Sequence, residues 1–317
     1  MRFTLNKTKI ITVVGPTASG KTSLGVEICK KFNGEVISAD SMQIYKGMNI
    51  ATAKPAVGEM QGIKHHLIDF VEPDNEYSVA SFCSDASKCV DEIVNKGKIP
   101  VIVGGTGLYV DSFINNISFL DNAFSESVRE NLFKRLSEEG AQSLYNELKA
   151  VDPEASEKIH PNNSVKVIRA LEVYYCSGFT ISQQVEQSKN NPSDFDCLFI
   201  GLNFKNREIL YNRINKRVDL MIENGLLDEA RSFYDGKTSS TSVNAIGYKE
   251  LKPFLDGNLS IDECIENLKK STRHYAKRQL TWFKRNNLIN WFYPDEYLSN
   301  NDLKNDVFKL IKLFSGR

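Results

Sequence analysis

Four short apolar runs mark the first third of the chain. They are rich in β-branched residues and are bounded by glycine, proline or polar residues, as is typical of strands buried in a parallel sheet. The predicted strands cover 9–14, 35–39, 65–70 and 99–105. Helical patterns lie between and after them, over 21–32, 78–96 and from about Leu108. Because strands alternate with helices, we predict an α/β fold with a parallel sheet covered by helices on both faces.

The pattern changes in the middle of the chain, where the spacing of apolar residues is helical throughout. Four helices are predicted there, at 125–139, 141–150, 153–159 and 164–177. The later predicted elements are a strand at 196–204, helices at 206–223, 225–235 and 260–286, and a short strand at 290–293. We therefore predict a core formed by 1–117 and 196–317, interrupted by a helical insertion domain at 118–195.

The length, charge balance and cysteine content of the chain exclude several classes of protein. With 317 residues, 41% of them hydrophobic, the chain is long enough to bury a core without disulfides or a metal. Lys and Arg balance Asp and Glu at 40 each, which excludes a globally basic, histone-like binder. Six cysteines without a C-x-x-C pair indicate a reduced, cytoplasmic protein. No run approaches the roughly 18 apolar residues of a membrane span, so we expect no membrane segment, and we expect a monomer.

Residues 15–22 (GPTASGKT) match the pattern G-x-x-x-x-G-K-[ST] between a predicted strand and a predicted helix. In this phosphate loop, backbone N–H groups and the positive helix end bind a diphosphate. Lys21 supplies a positive charge, and Thr22 supplies a hydroxyl ligand for Mg²⁺. The predicted diphosphate-binding residues are Gly15, Pro16, Thr17, Ala18, Ser19, Gly20, Lys21 and Thr22. The motif specifies a polyphosphate and not a reaction.

A kinase or ATPase also needs an aspartate that orients Mg²⁺ at the end of another apolar strand. The strand at 99–105 instead runs into Gly104-Gly105-Thr106-Gly107, and Asp69 is the one loose candidate. A glycine-rich turn at a strand end lets a substrate approach the backbone closely, although it also serves as a plain strand–helix turn.

Five further segments carry a family resemblance when they are combined with the phosphate loop. They are 37–45 (ISADSMQIY), 47–55 (GMNIATAKP), 104–109 (GGTGLY), 168–173 (IRALEV) and 245–250 (AIGYKE). In this order they make the chain, from about residue 9 to 290, resemble a bacterial tRNA dimethylallyltransferase, also called a tRNA isopentenyltransferase. The resemblance implies a P-loop NTPase-like core with a helical insertion that grips the anticodon arm of tRNA. It also implies transfer of a dimethylallyl group from its diphosphate to an adenine amine beside the anticodon.

Three residues suit the chemistry that the resemblance implies. The adenine amine is a weak nucleophile because its lone pair is delocalised, so a carboxylate that accepts its proton assists the attack. Asp40 ends a strand at the sheet edge where ligands of open α/β sheets bind, and it matches the family's catalytic aspartate. Lys21, with the loop amides and Mg²⁺, would stabilise the charge that grows on the leaving diphosphate. Arg217 matches a family R-x-x-x-R segment and would act with Lys21.

Other residues match family positions that contact tRNA. They are Asp40, Ser41, Met42 and Gln43 around the target base, Thr106 in the glycine-rich turn, and Arg129, Lys166 and Arg169 in the insertion. The target base must be flipped out of its stack to reach Asp40. The chain departs from the family at 163–166, where an aspartate and several arginines are usual and only Lys166 is charged. Lys166 therefore either contacts RNA or has a structural role.

Residues 269–285 contain seven Lys or Arg and no acidic residue. Such a basic helix suits a phosphate backbone, and its aromatic residues either stack on bases or pack inward. Arg273 and Lys277 are the predicted phosphate contacts on this helix, and the segment also matches a family motif.

Two other enzyme classes are alternatives. An adenylate isopentenyltransferase would transfer the same group to free adenine nucleotides, but it would need neither the helical insertion nor the basic helix. A P-loop small-molecule kinase would need the missing strand-end aspartate. A non-catalytic RNA-binding NTPase would not need Asp40, and the GTPase motif N-K-x-D is absent.

Overall fold

The computed structural model describes residues 7–117, 125–189, 193–236, 238–239 and 241–316. The strands are β1 (Thr8–Val14), β2 (Gly34–Ala39), β3 (His65–His66), β4 (Ile99–Gly104), β5 (Phe195–Leu202) and β6 (Asn290–Phe292). The helices are α1 (Lys21–Phe32), α2 (Val57–Met60), α3 (Val79–Asn95), α4 (Gly107–Ile114), α5 (Glu126–Glu139), α6 (Ala141–Val151), α7 (Pro153–Lys158), α8 (Ser164–Ser177), α9 (Ile181–Lys189), α10 (Arg207–Glu223), α11 (Leu226–Asp235), α12 (Tyr248–Leu255), α13 (Ile261–Phe283) and α14 (Asn300–Ser315). The chain forms two compact units, one of 114–194 and one of the remaining residues.

The larger unit contains a parallel sheet with the strand order β3-β2-β4-β1-β5-β6, which confirms the predicted α/β fold. The central strand β1 pairs with β4 and β5, and its last residue Val14 lies opposite Gly104 and Gly201. On the other side of β4, Ala39 at the end of β2 also lies opposite Gly104. Since the strands are parallel and in register, the loops that follow β1, β2 and β4 start from the same edge of the sheet.

Apolar side chains cover both faces of this sheet. On one face, Ile11 and Val13 belong to a buried cluster with Leu24 and Ile28 of α1 and with residues of α14. Elsewhere in the same unit, Phe82 of α3 stacks on Tyr109 of α4 at a centroid distance of 4.4 Å. Strands buried on both faces have no polar alternation, which is why they appear as continuous apolar runs in the sequence. Within the described ranges, no helix is both long and apolar enough to cross a membrane.

The prediction of a strand over 65–70 is wrong beyond His66, where β3 ends. Leu67 and Asp69 both have a φ of 57°, in the left-handed region that interrupts an extended strand. Asp69 and Phe70 instead donate backbone hydrogen bonds to Gln43 and Ile44 in the segment after β2. The short β3 therefore ends early because this stretch packs against a loop.

Four helices were not predicted: α2, α9, α12 and α14. In α14, Leu303, Val307 and Ile311 are buried at spacings of four residues, so its signal was present in the sequence. In α12, Pro253 lies inside the helix and obscured the pattern, although only two residues of the helix follow it.

The smaller unit is helical from α5 to α9. Its core contains Leu132 of α5, Leu144 and Leu148 of α6, and Leu171 of α8. Glu172 on α8 is also fully buried, and one of its carboxylate oxygens accepts hydrogen bonds from Arg129 and Arg169. A buried carboxylate needs such charged partners, so the core of this unit depends on them.

We expect Gly104→Ala to destabilise the larger unit. A Cβ atom at this position would lie 2.1 Å from the carbonyl oxygen of Ala39 on the neighbouring strand, so β2 and β4 would have to separate. Overpacking of this kind typically costs about 1–3 kcal/mol. A lower midpoint of thermal unfolding would confirm the effect. Gly58→Ala is the matched control because a Cβ atom there meets nothing within 4 Å. Equal midpoints for the two variants would contradict the expected strain.

Candidate active site

A cavity of about 260 Å³ lies in the larger unit at the carboxyl edge of the sheet. It brings together half of the predicted site residues of this unit, although they are far apart in sequence. Thr17, Lys21, Thr22, Asp40, Ser41, Met42, Gln43 and Arg217 all line it. Ala18 and Gly20 line a second cavity, which shares Lys21, Thr22 and Arg217 with the first. The three predicted catalytic residues Lys21, Asp40 and Arg217 therefore lie around one space.

The phosphate loop adopts a conformation that requires glycine at its start. Gly15 has a φ of 146°, and a Cβ atom there would lie 2.2 Å from the carbonyl oxygen of Leu202. Gly20 has a φ of 97° immediately before α1 begins, and Ser19 is buried within the loop. Lys21 reaches back across the loop, where its Nζ donates a 2.6 Å hydrogen bond to the carbonyl oxygen of Pro16.

Two arginines of α10 hold this loop from outside. Arg213 Nε donates to the Ala18 carbonyl oxygen at 2.9 Å, and Arg217 Nη1 donates to Thr17 Oγ1 at 3.2 Å. They are four residues apart and share one helix face, as the R-x-x-x-R spacing predicted. Arg213 thus contacts the loop backbone, while Arg217 also faces the cavity.

The cavity is electrostatically unbalanced. Burial, together with the nearby Arg217 guanidinium, lowers the pKa of Lys21 to about 7, while the Asp40 carboxylate opposes the change. Burial likewise lowers the pKa of Arg217. Two half-buried cations beside a carboxylate favour an anionic ligand, which would also restore the full charge of Lys21.

Asp40 follows β2 directly and is fixed by its own loop. Its Oδ1 accepts hydrogen bonds from the backbone N–H groups of Met42 at 2.9 Å and Gln43 at 3.3 Å. This turn holds the carboxylate in one orientation at the cavity wall. No hydrogen bond to Oδ2 is formed within the described part of the chain, so this oxygen can accept a proton from a ligand.

The glycine-rich turn after β4 supports the Asp40 segment. Thr106 Oγ1 accepts a 3.0 Å hydrogen bond from the backbone N–H of Ser41 and lies 3.3 Å from the Ser41 hydroxyl. Thr106 does not line the cavity. The structure therefore gives this predicted tRNA contact a supporting position behind Ser41.

Gln43 and Glu229 fix the segment 47–55. Gln43 Nε2 donates to the carbonyl oxygens of Thr52 and Ala53 at 3.1 and 3.2 Å, so its amide is engaged within the protein. The Glu229 carboxylate accepts from the backbone N–H groups of Asn49, Ile50 and Ala51, and it also accepts from the Tyr248 hydroxyl at 2.8 Å. The motif at 245–250 therefore meets the motif at 47–55 through Glu229. Sequence reasoning missed this glutamate because it looks like any exposed acid of an amphipathic helix.

Gln279 on α13 was also missed, although it connects two motifs at the cavity. It is 5% exposed, its Oε1 accepts from the Thr17 backbone N–H at 2.8 Å, and its Nε2 donates to the Gly105 carbonyl oxygen at 3.0 Å. A Cβ atom on Gly105 would lie 2.1 Å from Nε2, which explains the second glycine of the turn. No local sequence signal marks this residue, because its burial is evident only from the structure.

The aromatic residues of α13 pack into the protein. Trp282 Nε1 donates to Asp111 Oδ2 at 2.6 Å, and its ring occupies the space that a Cβ atom on Gly107 would fill. Phe283 is buried, and Tyr275 lines the cavity, where burial and the Asp40 carboxylate raise its pKa. Trp282 and Phe283 were predicted either to stack on RNA bases or to pack inward, and the structure shows that they pack inward.

The predicted cations outside the cavity have different surroundings. On α13, Lys277 is exposed, whereas Arg273 Nη1 donates to Asn215 Oδ1 at 2.6 Å. In the helical unit, Arg129 and Arg169 lie 3.0 and 2.7 Å from the buried Glu172 carboxylate. Lys166 is exposed, and its backbone N–H is capped by Asn163. Asn163, which stands where the family usually has a charged residue, is therefore the N-cap of α8.

We expect Gln279→Glu to destabilise the protein in a pH-dependent way. A carboxylate still accepts from Thr17, but it cannot donate to Gly105, and a buried acceptor without a donor costs about 1–3 kcal/mol. A protonated carboxyl group would restore that bond, so the folded-state pKa of the introduced carboxyl group would lie above its unfolded value of about 4.3. The loss relative to the wild type should therefore grow as the pH rises above that value.

Thermal midpoints at several pH values between about 4.5 and 8 measure this difference. Gln142→Glu on the exposed surface of α6 is the control, since it adds the same charge without a buried bond. A constant difference between the two variants across this range would contradict the positioning of Gln279.

Comparisons with known proteins agree with this geometry. A family model for IPP transferase matches residues 43–286, and one for isopentenyl transferase matches residues 8–73. A tRNA dimethylallyltransferase of Acetivibrio thermocellus is 50% identical over 92% of this chain and 93% of its own. One of Thermoanaerobacter sp. (strain X514) is 48% identical over 96% and 97%.

Solved structures of tRNA isopentenyltransferases and dimethylallyltransferases are also similar to this chain. The full-length tRNA isopentenylpyrophosphate transferase of Bacillus halodurans superposes with a TM-score of 0.73 and 42% identity over 97% of each chain. A eukaryotic dimethylallyltransferase acting on tRNA superposes with a TM-score of 0.83 and 32% identity, covering 98% of this chain and 80% of that one. The chain therefore belongs to the tRNA dimethylallyltransferase family of IPP transferases.

Proposed function

We propose that the protein transfers a dimethylallyl group from dimethylallyl diphosphate to the exocyclic amine of the adenosine next to the anticodon of tRNA, and releases diphosphate. The observation that carries this proposal is the meeting of Lys21, Arg217 and Asp40 around one cavity. Two half-buried cations suit a diphosphate, and a fixed carboxylate beside them suits the removal of a proton from an amine.

The reaction forms a bond from the adenine nitrogen to the allylic carbon as the bond from that carbon to the diphosphate oxygen breaks. The electron pair of the broken bond leaves with the diphosphate. Lys21, Arg217 and the loop amides stabilise that charge because they are already oriented around the loop. Asp40 accepts the proton of the amine through the oxygen that its own loop leaves free.

The cavity wall also suits Mg²⁺. The Thr22 hydroxyl and the Asp40 carboxylate line it together, and both are the hard oxygen donors that Mg²⁺ prefers. When bound, the ion would neutralise charge on the diphosphate. Asp69, the loose strand-end candidate, is paired with Lys54 and lines the neighbouring cavity instead.

Transfer to tRNA is supported by cations outside the cavity. Lys277 and Arg273 on α13 would meet phosphates, while Ser41, Met42 and Gln43 form the wall beside Asp40 where a flipped base would lie. In the helical unit, Arg129, Lys166 and Arg169 would meet the anticodon arm. We propose that the protein acts as a cytoplasmic monomer.

One experiment separates this function from the alternatives. The protein is incubated with dimethylallyl diphosphate, Mg²⁺ and either bulk tRNA or AMP, and the nucleosides are then analysed by mass spectrometry. We expect a dimethylallyl adduct on tRNA adenosine. An adduct on AMP with none on tRNA would instead identify an adenylate isopentenyltransferase, and phosphoryl transfer from ATP would identify a kinase.

We expect Asp40→Asn to slow the single-turnover rate by about 10²–10⁴-fold, because an amide is a far weaker base than a carboxylate. The amide oxygen can still accept from Met42 and Gln43, so the fold and the binding of both substrates should change little. Rapid-quench measurements on tRNA test this. Asp69→Asn is the control, and its rate should stay near that of the wild type. A similar rate for both variants would remove Asp40 from the proton transfer.

We expect diphosphate binding to take up a proton at Lys21. With its pKa lowered to about 7, much of this lysine is neutral at pH 8 in the free protein, and a bound diphosphate would raise the pKa again. Affinity should therefore fall as the pH rises above 7, by at most about tenfold per pH unit for one proton.

Titration calorimetry of inorganic diphosphate at pH 8, in buffers with different enthalpies of ionisation, counts the protons taken up. Lys21→Arg is the comparison, because arginine remains charged and leaves only the protons taken up by the ligand. Equal uptake by the wild type and the variant would show that Lys21 does not titrate on binding.

A further inference from the structure

A cavity of about 400 Å³ lies on the larger unit beyond the catalytic cavity, and none of its lining residues is shared with it. It is bounded by the segment that joins β5 to α10, by the second half of α13, and by Tyr293 after β6. Four cations line this cationic cavity: Lys205, Arg207, Lys277 and Lys284. Lys277 and Lys284 belong to the basic segment 269–285, whereas Lys205 and Arg207 were not predicted to contact a ligand.

These cations are poorly balanced by acidic residues. Lys205 Nζ lies 3.5 Å from a Glu296 carboxylate oxygen, with both side chains more than half exposed, so this pair contributes little. Within the described part of the chain, the other three cations form no ion pair. Because the chain as a whole has no net charge, four neighbouring cations favour an anionic partner.

Two of the cations are held in place by aromatic rings. Lys205 Nζ lies 4.3 Å from the centroid of the Tyr293 ring. The Arg207 guanidinium lies 4.8 Å from the centroid of the Tyr211 ring, and its Nε donates a 2.6 Å hydrogen bond to the Tyr211 hydroxyl. Cations that are already oriented lose less conformational freedom when they bind an anion.

The backbone beneath these side chains is also fixed. Asp295 accepts hydrogen bonds from the backbone N–H groups of Lys205 and Asn206 at 3.0 and 2.8 Å. Asn203, which is 8% exposed and lines the cavity, has an Oδ1 atom with no hydrogen-bond donor in the described residues.

A chain of shared residues connects this cavity with the catalytic one. A shallow groove on α13 shares Arg278 with the catalytic cavity and Lys277 with the cationic cavity. From Arg278 to Lys284, α13 advances about 9 Å, at 1.5 Å per residue. An RNA strand whose base enters the catalytic cavity could follow this helix to the cationic cavity within a few nucleotides.

We propose that the cationic cavity binds the phosphodiester backbone of the tRNA strand and is a second anchoring site outside the catalytic cavity. The proposal rests on the function proposed above and adds Lys205 and Arg207 to the RNA-binding surface predicted on the basic segment 269–285. Contacts of this kind position the RNA and carry no sequence information, so all tRNA substrates depend on them equally.

The test measures tRNA affinity against salt for the double variant Lys205→Ala with Lys284→Ala. Each lost phosphate contact flattens the slope of log K against log[salt] by about 0.7–0.9, so a decrease of about 1.4–1.8 is expected. The kcat at saturating tRNA and the KM for dimethylallyl diphosphate stay unchanged, because the catalytic cavity is not altered. The matched control is the double variant Lys309→Ala with Lys312→Ala on α14. The last turn of this helix accepts a hydrogen bond from Lys9 near the start of β1, and the phosphate loop follows the other end of that strand.

Two results would overturn the proposal. The first is an equal salt slope for the variant, the control and the wild type. The second is an unchanged slope together with weaker binding of AMP or inorganic diphosphate by the double variant, which would make the occupant a free anion and not RNA. Melting curves accompany each titration, and if the double variant melts early, Lys284→Ala alone should give half of the effect. Absence of tRNA modification by the wild type would refute the proposed function itself, independently of these slopes.

Discussion

The two hydrogen bonds of the Gln279 side-chain amide are the interactions on which the catalytic cavity depends. The amide accepts from Thr17 in the phosphate loop and donates to Gly105 in the turn after β4, so one buried group sets the distance between the two segments that form the cavity. With the Thr17 N–H bound to Gln279 and the Thr17 hydroxyl bound to Arg217, the first turn of the loop is fixed from two helices. The Ser19 N–H is bonded to the Pro16 carbonyl oxygen, so the amides best placed to bind a ligand are those at the start of α1.

Parallel pairing explains why motifs far apart in sequence act together. Val14, Gly104 and Ala39 end adjacent strands in register, so the phosphate loop, the glycine-rich turn and Asp40 start from one edge. Glu229 then joins the segment 47–55 to Tyr248, because one carboxylate accepts from several donors. The family motifs of the larger unit are therefore connected parts of one wall, and each stabilises a neighbour as well as facing the cavity.

The strands, most helices and the three catalytic candidates could be predicted from sequence, because each carries a local signal. Buried strands are apolar throughout, and Asp40 comes directly after one of them. Gln279 and Glu229 could not be predicted, since their backbone partners are more than 170 residues away and neither has an unusual neighbour in the chain. The strand at 65–70 failed for a local reason, because the left-handed conformation of Leu67 and Asp69 is imposed by packing and not by residue type.

The positions of the charged side chains in the catalytic cavity connect the binding of a diphosphate with its cleavage. A chain with no net charge concentrates Lys21 and Arg217 in a small space where Asp40 is the one acidic residue among the described lining residues, at a cost in desolvation that lowers both pKa values. In the proposed reaction, a diphosphate would remove that cost by recharging the lysine, so part of its binding free energy would come from relieving an unfavourable state already present in the free protein. The charge that grows on the departing diphosphate would then meet cations that are already oriented around the phosphate loop. The same unfavourable arrangement would thus both favour the diphosphate substrate and assist its cleavage.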